Sequence, residues 1–183
     1  MGRNKALLPV AGRPLIQWIA ERARHVADEM MVVTRTPDTY AFLGIPVVRD
    51  RYENVGPLAG LHAALQAAKK EWVFTLACDM PLVDPAVIRY MLTLTADADV
   101  VMPLVGGREE PLHALYRREV CLPAVERAIT AGRRRLISFL PEVRVRYVPE
   151  RELRAVDPEL NSFANANTPT EWEALMRRMT TKS

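Results

Sequence analysis

Largely apolar runs alternate with amphipathic stretches along most of the chain. Strands are predicted at residues 30–34, 45–48 and 72–78, and the last run is apolar on both faces, as a central parallel strand is. Apolar residues at helical spacing follow Pro14 and Gly56. This alternation predicts βαβ units and an α/β fold with a mostly parallel central sheet.

Proline and N-cap residues mark where several helices start. Asp84 is predicted to cap a helix that has Pro85 in its first turn, and Pro14 and Pro169 stand at other predicted first turns. Further strands are predicted at residues 100–103, 112–116 and 143–148, with a glycine turn at 106–108. Further helices are predicted at residues 119–130, 134–140 and 170–178.

Composition narrows the class of protein. The chain has 183 residues, of which 49% are hydrophobic and 26% charged, a globular balance in a length typical of one domain. The net charge of +3 suits an anionic substrate but does not indicate nucleic-acid binding. Two cysteines, of which Cys78 is expected to be buried, form no disulfide framework. Because no apolar run is long enough for a membrane span or a leader peptide, we expect a cytoplasmic protein.

Asp79 follows the apolar run 72–78 directly and is the first candidate for chemistry. In an open parallel sheet, ligands bind at the carboxyl ends of the strands. Mg²⁺ prefers hard oxygen ligands and takes one or two carboxylates together with substrate phosphates. Asp79 could therefore hold magnesium, although an aspartate that merely ends a strand and caps the next turn fits its local sequence equally well.

Three further segments have a possible role and a simpler structural explanation. The glycines in residues 56–60 could let a ligand approach the start of a helix, or could only form a tight turn. Lys5 could neutralise phosphate, or be a solvated terminal lysine. Asn165 and Asn167 could bind a ligand, or only form the turn before the last helix. No G-x-G-x-x-G or Walker A pattern is present, which disfavours dinucleotide and P-loop sites.

In this order and spacing, these segments resemble the molybdenum cofactor guanylyltransferases, nucleotidyltransferases that join GMP to molybdopterin. Residues 1–5 resemble the end of the family's L-A-G-G-x-S-x-R-M-G-x-x-K signature, and Gly12-Arg13-Pro14 continues it. The other matching segments are G-P-L-A-G at residues 56–60, C-D-x-P at 78–81, P-L-x-A-L-Y at 111–116 and N-x-N-T-P at 165–169.

The resemblance implies a three-layer, Rossmann-like nucleotidyltransferase fold in one domain over residues 1–183. Residues 1–99 would bind the nucleotide and residues 100–183 the acceptor. Asp79 would hold Mg²⁺ and act in catalysis with Lys5, which would bind the phosphates. The resemblance implies these further nucleotide contacts: Asp50, Gly56, Pro57, Leu58 and Gly60. Asn165 and Asn167 would line the acceptor side or complete the metal shell, and His113 would line the acceptor side.

The implied reaction transfers GMP from GTP to molybdopterin and releases pyrophosphate. Other molybdenum cofactor biosynthesis proteins and molybdoenzymes are the expected partners, with no role for nucleic acid or membrane. A molybdopterin cytidylyltransferase or a sugar-nucleotide transferase is an alternative on the same fold. A non-catalytic nucleotide-binding protein is a further alternative.

The family pattern also includes a first strand and an L-A-G-G loop, which would precede Met1. These residues either exist upstream in the natural protein, or the chain is a truncation with impaired activity. Because loss of a central strand would expose its buried neighbours, we expect the first.

Overall fold

We describe the chain from a computed structural model, which describes residues 4–50, 52, 55–165 and 169–180. The described strands are β1 (Pro9–Val10), β2 (Arg13–Pro14), β3 (Val32–Val33), β4 (Val47–Val48), β5 (Trp72–Phe74), β6 (Val100–Val105), β7 (Arg108–Glu109), β8 (Leu115–Arg117) and β9 (Val145–Pro149). The described α-helices are α1 (Leu15–Ala23), α2 (Pro57–Ala67), α3 (Pro85–Leu92), α4 (Arg118–Thr130), α5 (Glu150–Leu153) and α6 (Pro169–Thr180). Within these ranges, no helix is both long and apolar enough to cross a membrane.

The main sheet is mixed. Both β5 and β6 pair antiparallel with β8, so β5 and β6 run in the same direction, and β9 pairs parallel with β6. A separate parallel pair joins β3 to β4. The predicted α/β fold is confirmed, and in the main sheet β5, β6 and β9 run parallel to one another while β7 and β8 run against them.

The reversal at β7 has a local cause. Gly106 and Gly107 have φ angles of 58° and 73°, which glycine adopts without the steric cost that a side chain would add. Two consecutive positive φ angles make the tight hairpin turn that matches the twist of paired strands. The chain then returns as β8 between β5 and β6, a pairing that no local signal in the sequence encodes.

Alternating side chains of β6 divide the core into two layers. Val100 and Met102 pack in a cluster with Leu58 and Leu61 of α2 and with α4. Val101, between them in sequence, packs on the opposite face with residues of α3 and α5. Since helices cover both faces of the sheet, the arrangement has three layers, as the resemblance implied.

Several boundaries differ from the sequence prediction. Regular pairing of β5 ends at Phe74, although the backbone of Thr75 and Ala77 still donates to carbonyls of the returning segment. The predicted helix at residues 134–140 is wrong. Its turns are closed by hydrogen bonds that span three residues, such as Ser138 N to Arg135 O, and only a short 3-10 helix forms at Leu140–Glu142.

A buried carboxylate fixes the start of β6. Asp99 is 4% exposed, and its oxygens accept hydrogen bonds from the backbone and guanidinium of Arg144 at 2.9–3.0 Å. Arg117 Nη1 lies 3.7 Å from Asp99 Oδ1. The hydrogen bonds from Arg144 hold the pKa of Asp99 below its ordinary value. This carboxylate therefore joins β6, β8 and the segment before β9.

Asp99→Ala is expected to lower the free energy of unfolding by about 2–4 kcal/mol, because it leaves Arg117 and Arg144 without their buried partner. Urea denaturation measures this change. Asp28→Ala is the matched control, since it removes an exposed ion pair in which the carboxylate lies 3.2 Å from Lys70 Nζ. The control is expected to cost less than about 1 kcal/mol. Equal costs for the two variants would contradict the assignment.

His113 lies in the core and not on the acceptor surface where the resemblance placed it. Its side chain is fully buried between the rings of Phe74 and Phe163, at centroid distances of 5.1 and 4.5 Å. Neither ring nitrogen has a hydrogen-bond partner among the described residues. Burial lowers the pKa of His113 to about 3, and the nearby charge of Asp157 only partly offsets this effect. The expected acceptor contact of His113 is corrected, because this residue lies in the largely apolar segment 112–116, whose residues 113–116 are all buried.

The lowered pKa of His113 makes stability depend on pH. Below its ordinary pKa of 6.5, the unfolded chain binds a proton that the folded chain does not, so acidification favours unfolding until about pH 3. Between pH 7.5 and pH 5 this group is expected to cost about 2 kcal/mol. Urea denaturation at both pH values should show that His113→Phe removes this loss. The exposed-site variant His25→Gln should keep it, and an unchanged loss in His113→Phe would contradict the account.

Candidate active site

The segment that carries Asp79 is anchored by its apolar neighbours. Met80, Leu82 and Val83 are 3%, 6% and 0% exposed, and Pro81 between them is buried too, so all of the next four residues are buried. The side chain of Asp79 remains 27% exposed. A carboxylate in this position can meet a ligand while its backbone stays fixed, which is the arrangement that a binding or catalytic group requires.

Hydrogen bonds from two distant parts of the chain hold the same segment. On α1, Trp18 Nε1 donates to the carbonyl of Pro81 at 3.0 Å and Arg22 Nε donates to that of Val83 at 2.9 Å. The backbone N–H of Asp84 donates to Ser162 Oγ at 3.0 Å. Asp84 also caps α3, as predicted, by accepting from the N–H of Ala86. The part of the segment from Pro81 to Asp84 is thus held by α1 and by Ser162.

Lys5 is brought to Asp79 by the start of the chain. Asn4 caps the short 3-10 helix Lys5–Leu7, and its amide also donates to Tyr40 Oη at 2.9 Å. Lys5 Nζ lies 3.8 Å from Asp79 Oδ2. These two residues are 74 positions apart in the chain, and the sequence analysis predicted both for phosphate and metal binding. The structure therefore places the ammonium of Lys5 beside the carboxylate of Asp79.

Glu110 is a further acidic side chain near Asp79 that the sequence analysis missed. It is half-buried, and its pKa is raised, first by partial desolvation and second by the negative charge of Asp79. Its position directly before Pro111 was the available signal, since it adjoins the P-L-x-A-L-Y segment. No group of three or more His, Cys, Asp or Glu side chains within the described ranges could hold a metal alone. Magnesium remains compatible with this donor set, because it binds through few carboxylates together with phosphates and water.

Cys78, next to Asp79, is exposed and not buried as expected. The reason is that regular strand pairing has ended before this position, so the side chain no longer alternates into the core. Cys121 is buried, and both thiols are free, as the sequence analysis predicted.

A second group of residues lines an open cleft of about 550 Å³, a volume within the range of small-molecule sites. The cleft lies at the carboxyl ends of β3 and β4 and at the start of α2. Its lining includes four residues predicted for nucleotide binding: Asp50, Gly56, Pro57 and Gly60. A position at the carboxyl ends of parallel strands is where ligands bind in α/β proteins.

Gly56 opens this cleft to the backbone of α2. Its φ of 74° and ψ of −147° belong to a region that only glycine adopts readily. The helix begins at Pro57, and the start of a helix favours an acceptor or anion, although the N–H of Ala59 already donates to the carbonyl of Gly56 at 3.0 Å. The predicted nucleotide contact of Leu58 is corrected. Its side chain is fully buried in the core and does not line the cleft.

Thr34, Arg35 and Tyr52 also line the cleft, and the sequence analysis missed them. The signal that could have found Thr34 and Arg35 is their position at the carboxyl end of a parallel strand. For Tyr52, the signal is its closeness in sequence to Asp50.

The predicted acceptor residues are only partly described. Asn165 is exposed, and it follows Ala164, which packs against the cluster that contains Leu82, Val83 and Ile88. The asparagine segment therefore lies close to the anchored segment that follows Asp79. Asn167 lies outside the described residues.

Comparison with known proteins adds relatives of similar length. The chain is 37% identical over 177 residues to a probable molybdenum cofactor guanylyltransferase of Carboxydothermus hydrogenoformans, covering 97% of this chain and 89% of the relative. It is 38% identical over 173 residues to a molybdenum cofactor guanylyltransferase of Desulfosudis oleivorans, covering 94% and 85%.

The chain is also similar to solved structures of nucleotidyltransferases. The crystal structure of molybdopterin-guanine dinucleotide biosynthesis protein A from Archaeoglobus fulgidus has a TM-score of 0.83 and 30% identity, covering 98% of this chain and 92% of that one. A cytidylyltransferase of Thermus thermophilus, which acts on 2-C-methyl-D-erythritol 4-phosphate, has a TM-score of 0.70 at 18% identity and so shares the fold. The pattern of the MobA-like NTP transferase domain matches residues 1–145. The chain belongs to the MobA-like NTP transferase domain family, and the predicted nucleotidyltransferase class is thereby confirmed.

Proposed function

We propose that the chain transfers GMP from GTP to molybdopterin and releases pyrophosphate, forming molybdopterin guanine dinucleotide. The observation that carries this proposal is the contact between Lys5 and Asp79 on an anchored segment. The cleft beside Asp50 and Gly56 supports it, and so do the names of the relatives. We place the reaction in the cytoplasm, with other molybdenum cofactor proteins as the partners that supply or receive the cofactor.

The nucleotide would be bound by residues 1–99. The guanosine lies in the cleft, where the carboxylate of Asp50 accepts hydrogen bonds from the N–H groups of guanine. The glycines of residues 56–60 let the base and ribose approach the start of α2. Lys5 offsets the charge of the phosphates. These contacts position the α-phosphate, and positioning with charge neutralisation supplies most of the catalysis in such transfers.

Asp79 would hold Mg²⁺, with Glu110 close enough to affect the charge of the site. When bound, the metal neutralises charge on the phosphate oxygens as a Lewis acid. The arrangement fits a metal shared with the substrate, because a partly exposed carboxylate sits on a fixed segment and leaves room for phosphate ligands.

The acceptor would be bound by residues 100–183, with Asn165 and Asn167 as amide contacts. The terminal phosphate of molybdopterin is the nucleophile, and it is already ionised near neutral pH. The proposal therefore needs no general base. His113 takes no part in it, because its buried ring faces aromatic side chains.

Asp79→Asn is expected to lower the rate of GMP transfer by about 100-fold or more, because the metal loses its fixed carboxylate. Transfer of labelled GMP from GTP to molybdopterin measures this rate, and circular dichroism checks the fold. Asp97→Asn, which removes an exposed carboxylate elsewhere, is the control that should keep the rate. Full activity of Asp79→Asn would overturn the metal assignment.

Asp50→Ala is expected to reduce the preference for GTP over CTP by about tenfold or more, since a charged hydrogen bond to guanine is lost. Calorimetric titration with each nucleotide and Mg²⁺ gives both dissociation constants. Asp38→Ala, an exposed site outside the cleft, should leave the ratio unchanged. Tighter binding of CTP than of GTP by the unaltered chain would instead favour the cytidylyltransferase alternative.

A further inference from the structure

Tyr52 is the aromatic side chain in the lining of the nucleotide cleft among the described residues. It lies two positions after Asp50, is half-buried and faces the same cleft as Gly56 and Gly60. An aromatic ring at the wall of a nucleotide site offers a flat apolar surface to a base.

The ring of Tyr52 is supported from behind by a buried histidine. His62, on α2, is 3% exposed, and its ring meets that of Tyr52 edge to face, at a centroid distance of 4.9 Å and an interplanar angle of 83°. Edge-to-face contacts of this kind are favourable and define the orientation of both rings. The orientation of Tyr52 is therefore tied to α2.

Glu126 of α4 fixes the histidine in turn. Its carboxylate oxygen Oε1 lies 3.1 Å from His62 Nε2, and its own side chain is 47% exposed. The two helices pack on each other through the cluster that contains Leu58, Leu61 and Val125. A chain of contacts thus runs from the outer surface of α4 through His62 to the wall of the cleft.

We propose that Tyr52 is a contact for the guanine base, and that His62 and Glu126 are positioning residues that hold its ring. This inference rests on the proposed function, in which the cleft receives guanosine. A purine offers a larger flat surface than a pyrimidine, so the ring of Tyr52 favours GTP over CTP. That preference adds to the hydrogen bonds that Asp50 makes.

Calorimetric titration of the full chain in Mg²⁺ tests the contact. Tyr52→Ala is expected to raise the dissociation constant of GTP roughly 5- to 150-fold, which is the range for loss of a base–aromatic contact. Tyr52→Phe keeps the ring and should bind GTP within about threefold of the unaltered chain. Inorganic tripolyphosphate, which has no base, is the control ligand, and its dissociation constant should be the same in all three proteins.

Glu126→Ala tests the positioning, and its exposed site on α4 makes it compatible with folding. It should raise the dissociation constant of GTP about threefold or more and lower the preference over CTP, while Glu126→Gln, which retains a hydrogen-bonding oxygen, should restore both. A merely structural defect would weaken GTP, CTP and tripolyphosphate alike, and this outcome would overturn the positioning role.

The same titrations distinguish failure of this inference from failure of the proposed function. An unchanged dissociation constant of GTP in Tyr52→Ala, with normal binding by the unaltered chain, would overturn this inference alone. Absence of GTP binding by the unaltered chain would overturn both this inference and the proposed function.

Discussion

The geometry of the candidate site depends on the burial of Met80, Leu82 and Val83. These side chains fix the backbone that carries Asp79, because moving it would return apolar surface to water at about 25 cal/mol per Å². Hydrogen bonds from Trp18 and Arg22 prevent the same segment from shifting along α1. A flexible loop could present the same carboxylate only after losing conformational entropy on binding, whereas this segment is ordered in advance.

The charges around this point suit a phosphate and a cation together. Asp79 and Glu110 place negative charge where only partial solvation is available, and the pKa of Glu110 is raised first by its desolvation and second by the charge of Asp79. Lys5 supplies positive charge at 3.8 Å from Asp79. A divalent metal would relieve the repulsion between the carboxylates, and phosphates would take up the remaining positive charge. The cleft beside Asp50 suits the base, since its lining combines a carboxylate, glycine backbone and the aromatic ring of Tyr52.

Local signals in the sequence predicted what depends on neighbouring residues. Asp84 and Pro85 marked the start of α3, and the glycines at residues 106 and 107 marked a turn, because caps and turns are determined within a few residues. The direction of β8 depended on which strands it would join far along the chain, so periodicity could not reveal it. The family resemblance predicted Lys5 and Asp79 as a pair, and the structure places them together. It also included Leu58 and His113, which a motif cannot distinguish from exposed residues because it carries no information on burial.

The central claim is that one nucleotide joins the Asp50 cleft to the Asp79 segment. A crystal structure of the chain with Mg²⁺ and the α,β-methylene analogue of GTP tests it most directly. The account predicts guanine beside Asp50 and Tyr52, the phosphates at Lys5, and the metal on Asp79. A nucleotide bound with its base away from the cleft, or a metal held without Asp79, would contradict it.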